Sequence, residues 1–149
     1  MNARAQTRPP ATLELGSLVW RGDTKAAVAR AILESLAFAA RANADQISEL
    51  APIGRVTACG GLTRSPLYVA LLAALLERTI SVPRWREGSG VGAAICAGIG
   101  AGLFTSFEEG QRELVSVDLE VEPDPALVGA YRDLYPLWLR DYQALAARN

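Results

Sequence analysis

Apolar residues recur at helical spacing early in the chain and predict an amphipathic helix over residues 24–43. Three side chains in this stretch step by four and give the helix one apolar face: Val28, Ile32 and Leu36. Either Asp23 or Thr24 is placed to cap the helix, because both side chains carry an oxygen that can accept from a free N–H group of the first turn.

A second stripe, near the end of the chain, predicts the last helix. This helix begins at Asp124 and Pro125, and its apolar positions then follow at steps of three and four. The stripe consists of eight residues: Leu127, Val128, Tyr131, Leu134, Tyr135, Trp138, Leu139 and Tyr142. An aromatic stripe of this kind is typical of core or interface packing, so we do not assign it to a cofactor site.

The middle of the chain alternates between short β-branched runs and helical spacing. Residues 55–59 and 79–82 favour strands, and the helical pattern over residues 65–78 lies between them. Ser65 is a suitable N-cap and Pro66 suits the first helical position. A strand, a helix and a strand joined by short connections predict two parallel strands with a right-handed crossover.

The third quarter of the chain predicts a helix of unusually small residues over residues 91–102, four of them glycines. Each glycine costs roughly 1 kcal/mol relative to alanine in a helix, which a sequence accepts where another backbone must come close. Residues 106–109 fit a capping box for a short helix, and residues 114–119 alternate as a solvent-facing strand does. The elements together predict the α/β fold class.

The first residues carry weaker signals. Residues 1–11 contain two prolines and no periodicity, which predicts a disordered lead-in. Residues 12–20 predict a short strand or an extended edge segment, and residues 12–149 are expected to form one domain. The apolar stretch over residues 91–104 is too short to span a bilayer, and no signal peptide is evident, so we expect a cytoplasmic protein without membrane contact.

Charge and composition remove several kinds of function. The chain has 15 basic and 16 acidic residues without a basic stripe, which gives no support for a nucleic-acid partner. It contains no histidine, so the commonest general base and the commonest metal ligand are both missing. Cys59 and Cys96 match no metal or redox spacing, and we expect two reduced, buried thiols. We therefore assign no metal site.

The segment richest in chemical information is residues 59–67, which read Cys-Gly-Gly-Leu-Thr-Arg-Ser-Pro-Leu. Gly60 and Gly61 follow a predicted strand and leave room for a ligand at the backbone, and the helix that begins after Ser65 directs its positive end at this turn. Such a turn suits a nucleotide, although most Gly-Gly turns between strand and helix are purely structural. The segment matches neither the P-loop nor the dinucleotide fingerprint.

Four blocks of the sequence, in order and spacing, resemble the C-terminal domain of the FGGY family of carbohydrate kinases: residues 30–38, 59–65, 87–102 and 122–135. The first resembles an Arg-Ala-x-x-Glu-Gly-x-Ala-Phe helix signature, although Ser35 replaces its glycine. The second resembles the adenosine motif. The third resembles a glutamate, here Glu87, before a Gly-Ala-Ala helix, and the fourth resembles the closing helix. The resemblance covers residues 13–142.

This resemblance to xylulose, gluconate and glycerol kinases implies part of the second lobe of an actin-like ATPase fold, with ATP bound and Mg²⁺ carried by the nucleotide. It implies adenine and ribose contacts from one group of residues: Gly60, Gly61, Leu62 and Ser65. It also implies that Gly92 lets its helix approach the nucleotide. Arg64 lies beside this site and would touch the base or a phosphate, or would be a solvated arginine.

The activity that the resemblance implies is phosphoryl transfer from Mg-ATP to a sugar or polyol hydroxyl. The family's catalytic aspartate and phosphate loop are expected upstream of this sequence, so no catalytic residue is assigned here. Asp23 lies only 37 residues before Gly60, which is too close for the catalytic role and fits a helix cap. The alternatives are a non-catalytic remnant or split subunit that completes a partner kinase, and an unrelated α/β binding module. We expect exposed apolar surface and a homo-oligomer or a partner chain.

Overall fold

The computed structural model describes residues 24–146, so the predictions for residues 1–23 (the lead-in, the strand at 12–20 and the Asp23 cap) lie outside the described residues. The elements follow in the order α1 Lys25–Leu50, β1 Val56–Thr57, a 3-10 turn Gly61–Arg64, α2 Pro66–Leu76, β2 Ile80–Pro83, α3 Gly88–Gly100, α4 Phe107–Leu114, β3 Val117–Val121 and α5 Pro125–Ala146.

Helix α1 begins where the sequence predicts and ends at Leu50, seven residues after the predicted end at residue 43. The Thr24 side chain accepts from the Ala27 N–H group at 3.2 Å, which confirms Thr24 as the N-cap. The helix continues beyond residue 43 to Leu50, and the Arg41–Asp45 pair, with Nε and Oδ1 2.7 Å apart, supports the extension. An i,i+4 ion pair stabilises a helix by itself, so α1 continues past the point where its apolar spacing ends.

The predicted apolar face of α1 is exposed to solvent, which fits the expectation of exposed apolar surface. Ile32 and Leu36 are 43% and 42% exposed, whereas the buried side chains are Ala37, Phe38 and Ala42. The small alanines let α1 approach α2 closely, and Phe38 fills the space between α1 and α5. The stripe read from the sequence is thus an apolar face that no described element covers.

The three strands form one mixed sheet in the order β1-β2-β3. Strand β1 pairs parallel with β2, with Val56 opposite Ile80, which confirms the predicted parallel pair. Strand β3 adds an antiparallel edge that the sequence did not define, with Ile80 opposite Val121. The ladder is irregular between Val82 and Pro83, where the proline cannot donate. Strand β3 is exposed except at its last residue, as predicted.

The core lies between α1, α2, α5 and one face of the sheet. Its largest fully buried side chains include Phe38, Leu71 and Ile80. The Phe38 ring stacks on that of Trp138 with centroids 5.4 Å apart and meets Tyr131 edge-on at 5.8 Å. These contacts confirm that the aromatic stripe of α5 is packing.

Helices α3 and α4 form a hairpin that packs mainly on itself. Ser106 caps α4 by accepting from the Glu109 N–H group at 3.2 Å, while the Glu109 carboxylate accepts from the Thr105 N–H group at 2.6 Å. The predicted capping box is therefore present with its return bond one residue earlier. Cys96 on α3 is exposed, as is Cys59 after β1, so the expectation of buried thiols is wrong. Neither cysteine reaches the main core, which the larger apolar side chains of α1, α2 and α5 fill.

Within residues 24–146, none of the helices combines the length and the hydropathy that crossing a membrane requires.

Candidate functional site

Residues 60–65, hereafter the Gly-Gly turn, join β1 to α2. Gly60 has φ +95°, a backbone conformation that L side chains rarely adopt, so this position requires glycine. Gly61 opens the 3-10 turn with an ordinary φ, and no atom lies within 4 Å of the place where its Cβ would be. A flat ligand therefore has direct access to the backbone at Gly61.

Helix α2 begins with the cap that the sequence predicts. The Ser65 hydroxyl accepts from the Tyr68 N–H group at 3.3 Å, and the Ser65 carbonyl accepts from Val69 at 3.2 Å. Pro66 has no N–H group. In the first turn of α2, among the described residues, Leu67 therefore has an N–H group that makes no internal hydrogen bond. A helix start with so few free donors suits the uncharged adenosine end of a nucleotide better than its phosphates.

The loop before α3 lies against the Gly-Gly turn. The Arg86 carbonyl accepts from the Gly60 N–H group at 2.6 Å, and the Arg86 Nη1 donates to the Thr63 carbonyl at 3.1 Å. On α3, Gly88 approaches Cys59 so closely that an added Cβ would lie 3.1 Å from Sγ. The second and third blocks of the sequence, more than twenty residues apart, thus form one surface.

Arg64 and Glu87 connect the same two blocks across the outside of the turn. Arg64 Nη2 lies 3.6 Å from Glu87 Oε1, and both side chains are 72% exposed. An exposed ion pair of this length contributes less than about 1 kcal/mol, so it leaves Arg64 free to turn towards a ligand. The structure places Arg64 at the site as a solvated arginine, and its ligand contact stays a prediction.

Gly92 lies on α3, one helical turn after Gly88. No neighbouring atom lies within 4 Å of the position of its Cβ, so within residues 24–146 this glycine serves no close packing. The closest contact at a glycine of this helix is at Gly98, and it is with a side chain and not with a backbone: an added Cβ would lie 2.5 Å from the Phe104 ring. The face of α3 at Gly92 stays open, and its nucleotide contact remains a prediction.

The strongest ionic networks lie elsewhere, between α1 and α5. Arg30 Nε and Glu34 Oε1, one helical turn apart on α1, lie 2.8 Å from each other, and the Tyr131 hydroxyl donates to Glu34 at 2.5 Å. Burial raises the pKa of Tyr131 to about 12, with the hydrogen bond to Glu34 as the next cause. A parallel contact joins the Tyr135 hydroxyl to Asp45 at 2.6 Å. These groups fasten two helices together and show no catalytic arrangement.

Two concave surfaces in the described part of the chain also lie away from the Gly-Gly turn. One is near the amino ends of β1 and β2, where its lining includes Arg55, Arg78 and Ser81. The other is a narrow gap between α1, α2 and α5, lined in part by Arg41 and Tyr135. The Gly-Gly turn is therefore an exposed surface and not a closed pocket in residues 24–146. Nor does that part of the chain bring three acidic or cysteine side chains together as a metal site.

Comparison with known proteins decides the family. Over residues 19–101 the sequence matches the FGGY family of carbohydrate kinases, C-terminal domain. The chain belongs to the FGGY family of carbohydrate kinases. The match contains the Gly-Gly turn and all of α3, so both parts of the candidate site lie within it.

Individual relatives agree with this membership. The chain is 31% identical over 121 residues to the autoinducer-2 kinase of Escherichia coli K12. This alignment covers 80% of this chain and 23% of that protein. The xylulose kinase of Rhodospirillum rubrum superposes with a TM-score of 0.65 at 31% identity, over 89% of this chain and 26% of that one. The glycerol kinase of Plasmodium falciparum, solved with ADP, shares the fold at a TM-score of 0.59 and 18% identity, over 89% of this chain and 26% of that one.

The chain thus spans about a quarter of the length of these relatives. Its α/β architecture is part of the actin-like ATPase fold of FGGY kinases, as the sequence predicted. Sequence reasoning found the Gly-Gly turn through its glycines and its N-cap. It missed Thr63 and Arg86, because a buried threonine and a loop arginine carry no local signal of their long-range hydrogen bonds.

Proposed function

We propose that this chain binds the adenosine end of Mg-ATP on the Gly-Gly turn, as the C-terminal part of a kinase that phosphorylates a sugar or polyol hydroxyl. The observation that carries the proposal is the open backbone at Gly61, which follows the positive-φ Gly60 and faces the start of α2. Family membership supplies the class of reaction, phosphoryl transfer.

The described residues of this chain would bind and orient the nucleotide. Gly61 and Leu62 offer backbone and apolar surface to the base, and Leu62 is 43% exposed. Ser65 holds the start of α2, Arg64 supplies an exposed positive charge beside it, and Gly92 leaves its own face of α3 open. Proton transfer is assigned to none of them.

Magnesium fits this site only as part of the nucleotide. Residues 24–146 bring together no cluster of acidic side chains that would hold the ion directly. When bound to ATP, Mg²⁺ neutralises charge on the phosphate oxygens. The role left to this chain is to fix the adenosine, and thereby the direction in which the phosphates extend.

A second candidate function follows from the surface of α1. Ile32 and Leu36 lie one turn apart and are each more than two-fifths exposed, although both are large and apolar. A covered face would remove this apolar area from water. We propose as the alternative that the chain is a non-catalytic subunit that completes a partner kinase through this face, with or without a bound nucleotide.

A matched pair of glycine variants tests the first proposal. Gly61→Leu places a side chain over the turn, and Gly54→Leu places one in equally open space before β1, with no strain expected at either backbone. Calorimetric titration with ADP and with ATP, with and without Mg²⁺, is expected to give saturable binding by the parent and by Gly54→Leu. Gly61→Leu is expected to lose at least about tenfold in affinity. Equal affinity in both variants would contradict the assigned site.

The alternative makes a different prediction about the free chain. Size-exclusion chromatography with light scattering is expected to give an oligomer, or hydrophobic-dye binding that falls in the Ile32→Glu/Leu36→Lys double variant. Matched charge changes at the exposed Glu49 and Arg78 give the control. A monodisperse monomer that binds no dye would remove the support for a covered face at α1.

A further inference from the structure

Arg86 is the described residue that makes the most specific contacts with the Gly-Gly turn. Its carbonyl accepts from the Gly60 N–H group at 2.6 Å, while its Nη1 donates to the Thr63 carbonyl at 3.1 Å. One residue of the loop before α3 therefore holds the turn at two positions three residues apart. The two bonds use different parts of Arg86, so a substitution removes the side-chain bond and leaves the main-chain bond possible.

The turn needs such support, because its own bonds fix only its interior. Thr63 is buried, and both its N–H group, at 3.1 Å, and its hydroxyl, at 2.7 Å, donate to the Gly60 carbonyl. Gly60 at φ +95° has more alternative conformations than any other residue type would have. The charged donor on the Thr63 carbonyl restrains the far end of the turn, and hydrogen bonds from charged donors are stronger than neutral ones.

Asp118 on β3 supports the direction of the Arg86 side chain. Its Oδ2 lies 3.9 Å from Arg86 Nη2, and the Arg86 side chain is 28% exposed against 52% for Asp118. A half-exposed pair at this distance adds little stability, so the Thr63 carbonyl is the main partner that orients the guanidinium group. The Ser116 carbonyl, which accepts from the Arg84 N–H group at 2.9 Å, holds the same loop to the residue before β3.

We propose that Arg86 is a positioning residue of the adenosine site. It holds the Gly-Gly turn in the conformation that keeps Gly61 open, with Asp118 as a weak second partner of the guanidinium group. This inference rests on the proposed function of the turn and adds to it a residue that touches no nucleotide. It also gives the antiparallel edge strand β3 a part in the site.

The test compares Arg86→Ala, Arg86→Met and Arg86→Lys in the full chain, with Arg84→Ala as the control. Arg84 lies in the same loop, but its guanidinium group stacks over Trp85, 5.6 Å from the ring centroid. We expect amide hydrogen exchange at Thr63 and Ser65 to rise about tenfold in Arg86→Ala and Arg86→Met, and ADP affinity to fall about tenfold in calorimetry. Arg86→Lys keeps one donor and is expected to restore most of both, while Arg84→Ala stays within about twofold of the parent.

The two measurements separate this inference from the proposed function. A parent chain that binds no ADP counts against the proposed function, and the exchange measurement then decides the role of Arg86 by itself. Unchanged exchange at Thr63 in Arg86→Met would overturn the inference, and so would an equal rise in Arg84→Ala. The methionine variant keeps the long side chain, so the test still applies if Arg86→Ala does not fold.

Discussion

Two glycines of α3 have opposite surroundings, and alanine at each is expected to change stability in opposite directions. At Gly92 the added Cβ meets no neighbouring atom within 4 Å, so Gly92→Ala gains helix propensity of about 1 kcal/mol. At Gly98 the added Cβ would lie 2.5 Å from Phe104 Cδ2 and 2.6 Å from Cε2. Distances this short force the ring or the helix to move.

The ring of Phe104 also lies close to α4. The Cβ position of Gly110 is 3.1 Å from the same Cδ2 atom, and the Leu103 N–H group donates to the Gly98 carbonyl at 2.8 Å. Overpacking in such a place costs about 1–3 kcal/mol. Both variants gain the same propensity term, so the difference between them isolates the clash. Gly98→Ala is expected to be about 1–3 kcal/mol less stable than Gly92→Ala.

The assay is urea unfolding monitored by far-UV circular dichroism. Helices give most of this signal, and α3 is one of them. A further variant, Gly98→Ala with Phe104→Leu, tests the cause. Since leucine removes the ring that the Cβ would meet, the two changes are expected to couple favourably. If Gly98→Ala is as stable as Gly92→Ala, the close packing of α3 and α4 around Phe104 is refuted.

Two predictions concern Tyr131. Its hydroxyl donates to Glu34 at 2.5 Å and accepts from Arg30 at 3.0 Å. In urea unfolding, Tyr131→Phe is therefore expected to lower the free energy of unfolding by about 1–2 kcal/mol. The control is Tyr142→Phe, which changes an exposed ring. Burial raises the pKa of Tyr131 to about 12, above its unfolded value of about 10. The contribution of the Tyr131 hydroxyl to the free energy of unfolding is therefore complete below about pH 10 and is lost as the pH rises towards about 12. When unfolding is measured over a series of alkaline pH values, the free energy of unfolding is expected to fall less steeply in Tyr131→Phe than in the parent. An equally steep fall in the variant would contradict the assignment.

The elements that local chemistry determines were predictable from the sequence. Thr24 and Ser65 cap their helices because a hydroxyl before a helical run satisfies a free N–H group whatever the tertiary fold. The parallel pair of β1 and β2 follows from the short connections through α2. Strand β3 itself was predicted, but its antiparallel pairing with β2 was not, because 33 residues separate the two strands and no local signal fixes their register.

The site shows the same division. The Gly-Gly pair was noticed from residue type alone: Gly60 has the positive φ that favours glycine, whereas Gly61 has an ordinary φ and leaves its backbone open. Arg86 was not found, because its bond to the Thr63 carbonyl joins residues 23 positions apart and arginines in loops are common. Side-chain bonds to a distant main chain follow from tertiary structure alone.

The exposed apolar face of α1 is informative for a related reason. The spacing of Ile32 and Leu36 reports that these side chains gain free energy when covered, and it says nothing about which element covers them. Within residues 24–146 the covering falls on Ala37 and Phe38 instead, and the periodic stripe is left in water. Solvent-exposed stripes of large apolar residues at helical spacing are disfavoured unless something packs on them. The exposed apolar face of α1 carries the proposal of a partner-completing subunit, and the open face of α3 at Gly92 contributes to the proposal of nucleotide binding.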